Sequence, residues 1–323
     1  MRRDNSVGKK SRTKSAPPTG PGGIGPRQPC PCGSGRRYKA CHGAANGDLP
    51  YVVRTFGGLP GECDWVALRE FVPAGQALLT LQDDAYDGAA AGQTVRVCTV
   101  LPGIAPALRR DDGEVWIAAQ VAHQSADPST DLAEALRLGM VAEPGESVAM
   151  PQVPPSQLRL QDVVEESTDF PVTVLDGFDF WFEGSDDEDG TVAATLEQLN
   201  SSIDPTTRLE GVSAAYWTSV GTKEHLRWVL PYDEESLLTA LARLHAADDD
   251  RLGPDSRLVG SFRAHGLLVP VWDLPVGTGA EAVEEPAQKF AERLEDALAS
   301  GSALTPHERA ARNGLANRQL TIR

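Results

Sequence analysis

Apolar residues alternate with polar residues in some segments of the chain and recur every three or four residues in others. Alternation rich in β-branched residues predicts strands, and spacing of three and four predicts helices. The predicted strands cover residues 94–101, 114–121, 214–220, 225–230, 258–262 and 267–272. The predicted helices cover residues 63–72, 131–138, 192–199 and 287–298, with further helices opening after Asp233 and Thr305.

Turn residues indicate how the strands pair. The dipeptide Asp176-Gly177 lies in the middle of residues 172–182 and is a strong hairpin signal. It predicts a strand with Phe178, Phe180 and Phe182 on one face. Two further hairpins are predicted around the dipeptides at residues 221–222 and 265–266. Antiparallel hairpins with flanking helices on one face predict the α+β fold class.

Charge divides the chain into two unlike parts. The net charge is −16, yet residues 1–43 carry ten Lys and Arg against one acid, Asp4. This basic head therefore has a charge of +9, and the remaining 280 residues carry −25. A basic head on an acidic body indicates that the head meets an anionic surface, whereas the charge of the body favours solubility.

The same composition shift predicts the domain organisation. Residues 1–28 have almost no apolar content and are predicted to be a disordered basic tail. A metal module follows at residues 29–43, then an acidic α+β body at 48–302 and a basic C-terminal helix at 303–323. A Pro-rich stretch suggests that the body splits into two subdomains near residues 142–170. Without an apolar run of about 18 residues or a secretory leader, a cytoplasmic protein is expected.

The metal module has a compact set of ligands. Three of the five cysteines fall within twelve residues, which favours metal binding over disulfides. The pattern is C-x-C, eight residues, then adjacent Cys and His, which gives Cys30, Cys32, Cys41 and His42 as ligands. Three thiolates and one imidazole form the closed tetrahedral set that zinc prefers, and iron, which accepts the same soft ligands, is the alternative.

The residues between the ligands suit this role. Glycine amides can donate to thiolates, and basic side chains offset the net charge of a three-thiolate zinc site. A module this small has no core, so metal binding must supply about 10 kcal/mol or more of folding free energy. We expect it to be unfolded without metal. The predicted supporting and partner-binding residues are Gly33, Ser34, Gly35, Arg36, Arg37, Tyr38 and Lys39.

The segment PCPCGSGRRYKACHG closely resembles the SEC-C motif. That motif is best known from the preprotein-translocase ATPase, where it binds zinc and contacts a chaperone and the ribosome, and it also occurs on bacterial methionine aminopeptidases. The resemblance implies zinc ligation by the four residues named above. The body resembles an uncharacterised actinobacterial family of SEC-C-containing proteins, through stretches such as AAYWTSVGTKEHLRWVLP and LVGSFRAHGLLVPVWDLP. That second resemblance brings no known activity.

The body shows no motif of a known enzyme class. Phosphate-loop, dinucleotide-binding, nucleophile-elbow and HExxH patterns are all missing from the sequence, which argues against an ATP-driven motor. Cys63 and Cys98 lie in apolar segments and are interpreted as small buried hydrophobes, with a reactive thiol as the alternative. The acidic runs at residues 186–189 and 248–250 are interpreted as solvated loops.

Two functions are compatible with these features. The first is an adaptor whose basic zinc module docks on the ribosome or on an export or quality-control protein, with RNA contact left open. The second is an enzyme with an unrecognised active site in the body and the module as a targeting device. Sequence-specific DNA binding is disfavoured, because the module lacks the C₂H₂ spacing and the acidic body would repel DNA.

Overall fold

Two five-stranded sheets and six helices form the described part of the chain, which confirms the α+β class. The computed structural model describes residues 27–28, 37, 52–88, 93–121, 126–151, 158–166, 169–182 and 191–320, the side chains of 191–192 excepted. No helix among these residues is long and apolar enough to cross a membrane.

The first sheet has the order β3-β4-β2-β1-β5. Its neighbours pair antiparallel except β2 and β4, which are parallel. The first half of the body also contains helices α1 and α2 and short 3₁₀ turns at 102–104, 160–162 and 179–182. The elements are α1 (Glu62–Glu70), β1 (Gly75–Thr80), β2 (Thr94–Cys98), β3 (Ala107–Arg109), β4 (Val115–Ala118), α2 (Pro128–Val141) and β5 (Thr173–Val174).

The second sheet has the order β6-β7-β8-β10-β9 and is antiparallel throughout. Helices α4 and α5 supply much of the apolar cover of one of its faces. The elements are α3 (Thr191–Asn200), β6 (Thr206–Arg208), β7 (Ala215–Val220), β8 (Lys223–Trp228), α4 (Glu234–Ala246), β9 (Arg257–Ala264), β10 (Leu267–Leu274), α5 (Glu281–Ala299) and α6 (Pro306–Asn317).

Helix α1 joins the two sheets. Trp65 is fully buried and stacks on Phe170 at 4.5 Å between ring centroids. Arg69 donates to the Ala119 carbonyl beside the first sheet, whereas Asp64 accepts from Tyr216 in β7. The sequence predicts one apolar face for this helix, but residues 64–69 are buried on every side because partners lie on both flanks. The largest apolar core cluster accordingly contains residues of both sheets.

The predicted hairpins of the second sheet are confirmed. Residues 221–222 connect β7 to β8, and residues 265–266 connect β9 to β10. The predicted helix starts are also present: Asp233 accepts from the Ser236 amide, and Thr305 and Glu308 form a reciprocal capping box. The basic C-terminal helix α6 packs against α4 and buries Leu315 there.

The hairpin predicted at Asp176-Gly177 is wrong. Strand β5 ends at Val174, and residues 179–182 form a 3₁₀ turn, so the three phenylalanines do not share a strand face. The side chain of Asn200 in α3 accepts from the Phe178 amide, and Phe178 stacks on Trp181 at 4.4 Å. These contacts with α3 and within the aromatic cluster override the local turn signal.

Candidate functional site

The predicted metal ligands Cys30, Cys32, Cys41 and His42 lie outside the described residues. So do their neighbours Gly33, Ser34, Gly35, Arg36, Tyr38 and Lys39, while Arg37 is described and exposed. The donor set of three thiolates and one imidazole fits zinc. Across the described parts of the chain, no group of three or more His, Cys, Asp or Glu could hold a metal ion.

The two cysteines of the body behave as small apolar residues. Cys98 is fully buried in β2, and Cys63 is half-buried in α1. Burial raises the pKa of each thiol to about 12, because the thiolate would lose its hydration. Neither is therefore a reactive thiol at neutral pH, which supports the interpretation as buried hydrophobes.

One cleft of the body lies between the loop that follows α4, the ends of β9 and β10, and the C-terminal segment. Its volume is about 940 Å³. Trp272 Nε1 donates to the Asp250 carbonyl, and the Arg293 guanidinium donates to the carbonyls of Asp249 and Arg251, so the loop is held firmly. The cleft is lined by ionisable residues, which include His245, Asp248, Asp250, Arg251, Asp255, Arg257, Asp273 and Arg318.

A histidine–carboxylate pair lines this cleft. His245 Nδ1 lies 2.6 Å from Asp250 Oδ2, and the aspartate is only 6% exposed. A carboxylate on Nδ1 fixes the orientation of the ring and leaves Nε2 for another contact. Asp250 belongs to the acidic run at 248–250, so the interpretation of that run as a solvated loop is wrong at this position.

A second histidine pair lies next to the cleft. His225 Nδ1 is 3.0 Å from Asp273 Oδ1, and Arg257 reaches the other oxygen of the same carboxylate at 3.2 Å. Burial lowers the pKa of His225, although the nearby Asp273 acts in the opposite direction. The lowered pKa favours the neutral ring of His225 at pH 7, and Arg257 supplies a charged partner for the carboxylate.

The cleft holds a histidine–carboxylate pair but no activated nucleophile among its described lining residues. Ser256 carries the hydroxyl of that lining, and its Oγ donates to the Gly253 carbonyl and accepts from the Leu252 amide. Asp248 pairs with Arg251 at 3.0 Å, and Asp250 pairs with His245 at 2.6 Å. Such a surface of matched charges suits binding of a polar ligand better than covalent catalysis.

A smaller cleft of about 670 Å³ lies beside α2. Tyr86 lines it and donates to the Ala133 carbonyl at 2.7 Å. Burial raises the pKa of this phenol, so Tyr86 is a hydrogen-bond donor and not a proton acceptor at neutral pH.

The other candidate residues of the body are distributed through the fold. His265 bonds to Glu70 at 2.8 Å, at the opposite end of β10 from His225, so the two histidines do not converge. Trp228 and Trp272 pack with Phe290 in the core under α5. The His245–Asp250 pair is not predicted from the sequence, and the only signal for it is the acidic run that follows α4. The run at residues 186–189 lies outside the described residues.

Two family matches cover most of the chain. The family described as "Family of unknown function (DUF5926)" matches residues 55–323. The SEC-C motif matches residues 27–44, which contain all four predicted ligands. The searches of curated proteins and of solved structures return no match to the chain.

Proposed function

Because the chain belongs to the DUF5926 family and carries a SEC-C motif, we propose that it is a zinc-binding adaptor. Its basic N-terminal module docks on a macromolecular partner, and its α+β body carries the second interaction surface. The motif match at residues 27–44 is the observation that supports this proposal most directly. The proposed organisation is a tail at 1–28, a zinc module at 29–43, a body at 48–302 and a C-terminal helix at 303–323.

Zinc has a structural role in this proposal. Cys30, Cys32, Cys41 and His42 hold the ion, and its binding free energy folds a segment that has no core of its own. Three thiolates and a neutral imidazole leave the site with one negative charge. Basic residues of the module offset that charge and face the partner; they are Arg36, Arg37 and Lys39.

The charge asymmetry supports an anionic partner. Residues 1–43 carry +9 in a chain of net charge −16, so the head is attracted to surfaces that repel the body. We propose the ribosome as the partner, in the cytoplasm, with an export or quality-control protein as the other outcome of the test. Contacts to rRNA phosphates would make binding fall steeply with salt.

Ribosome co-sedimentation tests this proposal. The wild-type chain should pellet with ribosomes at low salt, and Cys30→Ser/Cys32→Ser should abolish pelleting because the zinc module no longer folds. Cys63→Ser is the matched control, since this cysteine lies in the body and its thiol is half-buried. A salt series on the wild type then separates phosphate contacts from protein contacts.

Two results would contradict the proposal. If the wild type stays in the supernatant at low salt, the ribosome is not the partner. If the double cysteine variant pellets as well as the wild type, the module is not the contact. Binding that ignores salt would leave a protein surface as the partner and exclude the rRNA backbone.

The His245–Asp250 pair favours one alternative, an enzyme or small-molecule receptor whose site is the larger cleft. The SEC-C module would then be a targeting device. A thermal-shift screen with small polar molecules tests this alternative. A ligand of the cleft should raise the melting temperature of the wild type and not that of His245→Asn, whereas a ligand that stabilises both variants equally binds elsewhere.

A further inference from the structure

One edge of the second sheet is formed by β9, a strand of eight residues. It is longer than the five or so residues of a typical strand. Its inner side pairs with β10 along most of its length, from Leu267–Ala264 to Asp273–Arg257. Its outer side is an edge, and an edge of this length is a template on which another strand can pair.

Residues 318–320 occupy a small part of this edge. Residues 318–320, here called the C-terminal strap, run parallel to β9 and meet it at Ser261 and Gln319. The Ser261 amide donates to the Arg318 carbonyl at 3.1 Å, and the Leu320 amide donates to the Ser261 carbonyl at 2.9 Å. Of the described backbone hydrogen bonds on the outer side of β9, these two are the complete set.

The edge is shaped for this close approach. Gly260 has φ +157°, and a Cβ at this position would lie 2.5 Å from the Arg318 carbonyl oxygen. Val259 is an extra residue in the ladder, because the partners of Val271 and Trp272 are Gly260 and Leu258. A bulge and a strap both protect the edges of sheets from association. The strand therefore carries devices that limit pairing with another chain.

We propose that the edge of β9 is a self-association surface, and that the strap occupies it in the free protein. The partner is a second copy of this chain, whose β9 pairs antiparallel with the first across a two-fold axis. Displacement of the strap exposes the amide and carbonyl of Ser261 and extends the sheet into the second copy. The surface is independent of the zinc module and goes beyond the adaptor function.

The charges of β9 suit a second copy. Arg263 bonds to Glu234 of α4, and Arg257 bonds to Asp273 of β10, so each arginine is paired within its own chain. Like charges placed opposite each other would destabilise an antiparallel pair of identical strands. Because both arginines are already paired, two copies of β9 can meet without such uncompensated charges. The strap is held by two backbone hydrogen bonds, each of which contributes little net free energy in water, and by the partly buried Leu320 side chain.

Analytical ultracentrifugation of a chain that ends at Asn317 tests the proposal. This variant keeps all of α6 and lacks the strap, so its dimer should form about tenfold or more tightly than that of the full chain. Termination after Leu320 is the matched control and should behave as the full chain. Adding Ser261→Pro to the Asn317 variant removes the edge amide and should return it to a monomer.

The proposal would be overturned if the chain that ends at Asn317 folds but stays monomeric at every concentration at which the full chain is monomeric. A dimer that persists with Ser261→Pro would also overturn it. If loss of the strap unfolds the chain, full-length Leu320→Pro replaces it, because this change deletes the Leu320 amide that holds the strap and part of the apolar contact that Leu320 makes with the core. That variant should shift toward dimer in the same direction, and an unchanged monomer would again contradict the proposal.

Discussion

The two sheets are assembled in different ways. In the second sheet, β7 and β8 are joined by a two-residue turn, as are β9 and β10, so these partners are neighbours in sequence. In the first sheet, β1 pairs with β5, which follows only after β4 and α2, and β2 pairs in parallel with β4. The second sheet is built largely from local pairs, whereas the first combines two pairs of consecutive strands, β1–β2 and β3–β4, with two pairs between distant segments.

The difference in strand pairing decides where polar side-chain contacts are needed to stabilise each sheet. A sheet of local hairpins is stabilised by its own turns, and it needs anchors for its connecting loops and for its contact with the rest of the fold. A sheet of distant segments must be held by side chains that reach across the fold, and α1 supplies these toward both sheets. The buried Asp64 joins α1 to the second sheet, because it accepts from Tyr216 of β7 and from the Arg208 guanidinium of β6, the latter at 2.9 and 3.1 Å.

Breaking this joint should have the largest effect. Asp64→Ala leaves the Arg208 charge and the buried Tyr216 hydroxyl without their acceptor, which should lower the free energy of unfolding by about 3 kcal/mol. Denaturant unfolding measures it. Glu62→Ala is the control in the same helix, since Glu62 pairs with the exposed Arg54 and should cost less than about 1 kcal/mol. Equal losses of unfolding free energy in both variants would show that Asp64 does not stabilise the contact between α1 and the second sheet.

Removing a buried carboxylate inside the second sheet should lower the free energy of unfolding by an intermediate amount. Glu224 of β8 is 5% exposed and accepts from the Gly279 amide and from Trp217 Nε1, both at 2.9 Å. Burial raises the pKa of Glu224. Hydrogen bonds, chiefly from the Gly279 and Gly277 amides, act in the opposite direction and together outweigh burial, so the pKa lies below the usual value. Glu224→Ala should cost about 2 kcal/mol, because two backbone amides and an indole lose their acceptor.

Thermal unfolding with Glu285→Ala as control checks this prediction. Glu285 lies on the exposed side of α5 and pairs with Lys289, so its removal should change the melting temperature little. If Glu224→Ala has the same melting temperature as the wild type, the loop before α5 is held by its own turns and not by the carboxylate.

The smallest effect concerns pH. The folded state lowers the pKa of His225 mainly through burial, so the unfolded chain binds a proton more readily near pH 6.5. Stability should therefore decline as the pH falls from 7 to 5, and His225→Gln should remove less than about 1 kcal/mol of that decline. Urea unfolding at both pH values measures it, with His307→Gln on the exposed side of α6 as control. An equal decline in His225→Gln would assign the pH dependence to other groups.

Prediction from sequence succeeded where structure is local. The hairpins around residues 221–222 and 265–266 depend on two-residue turns, and the caps at Asp233 and Thr305 bond within four residues. It failed at Asp176-Gly177, where Asn200 captures the Phe178 amide from another helix. It also missed the His245–Asp250 pair, because burial of the carboxylate depends on how the loop after α4 packs against β10.

The sequence by itself determined the helices, the hairpins of the second sheet, the contrast between basic head and acidic body, and the SEC-C ligand pattern. These features depend on spacing, turn residues and charge within short windows. Only the tertiary structure decided that α1 is buried between two sheets, that Asp64 meets Arg208, and that the strap lies on Gly260. Such contacts join residues far apart in the chain, and their partners are fixed by packing, which no local pattern encodes.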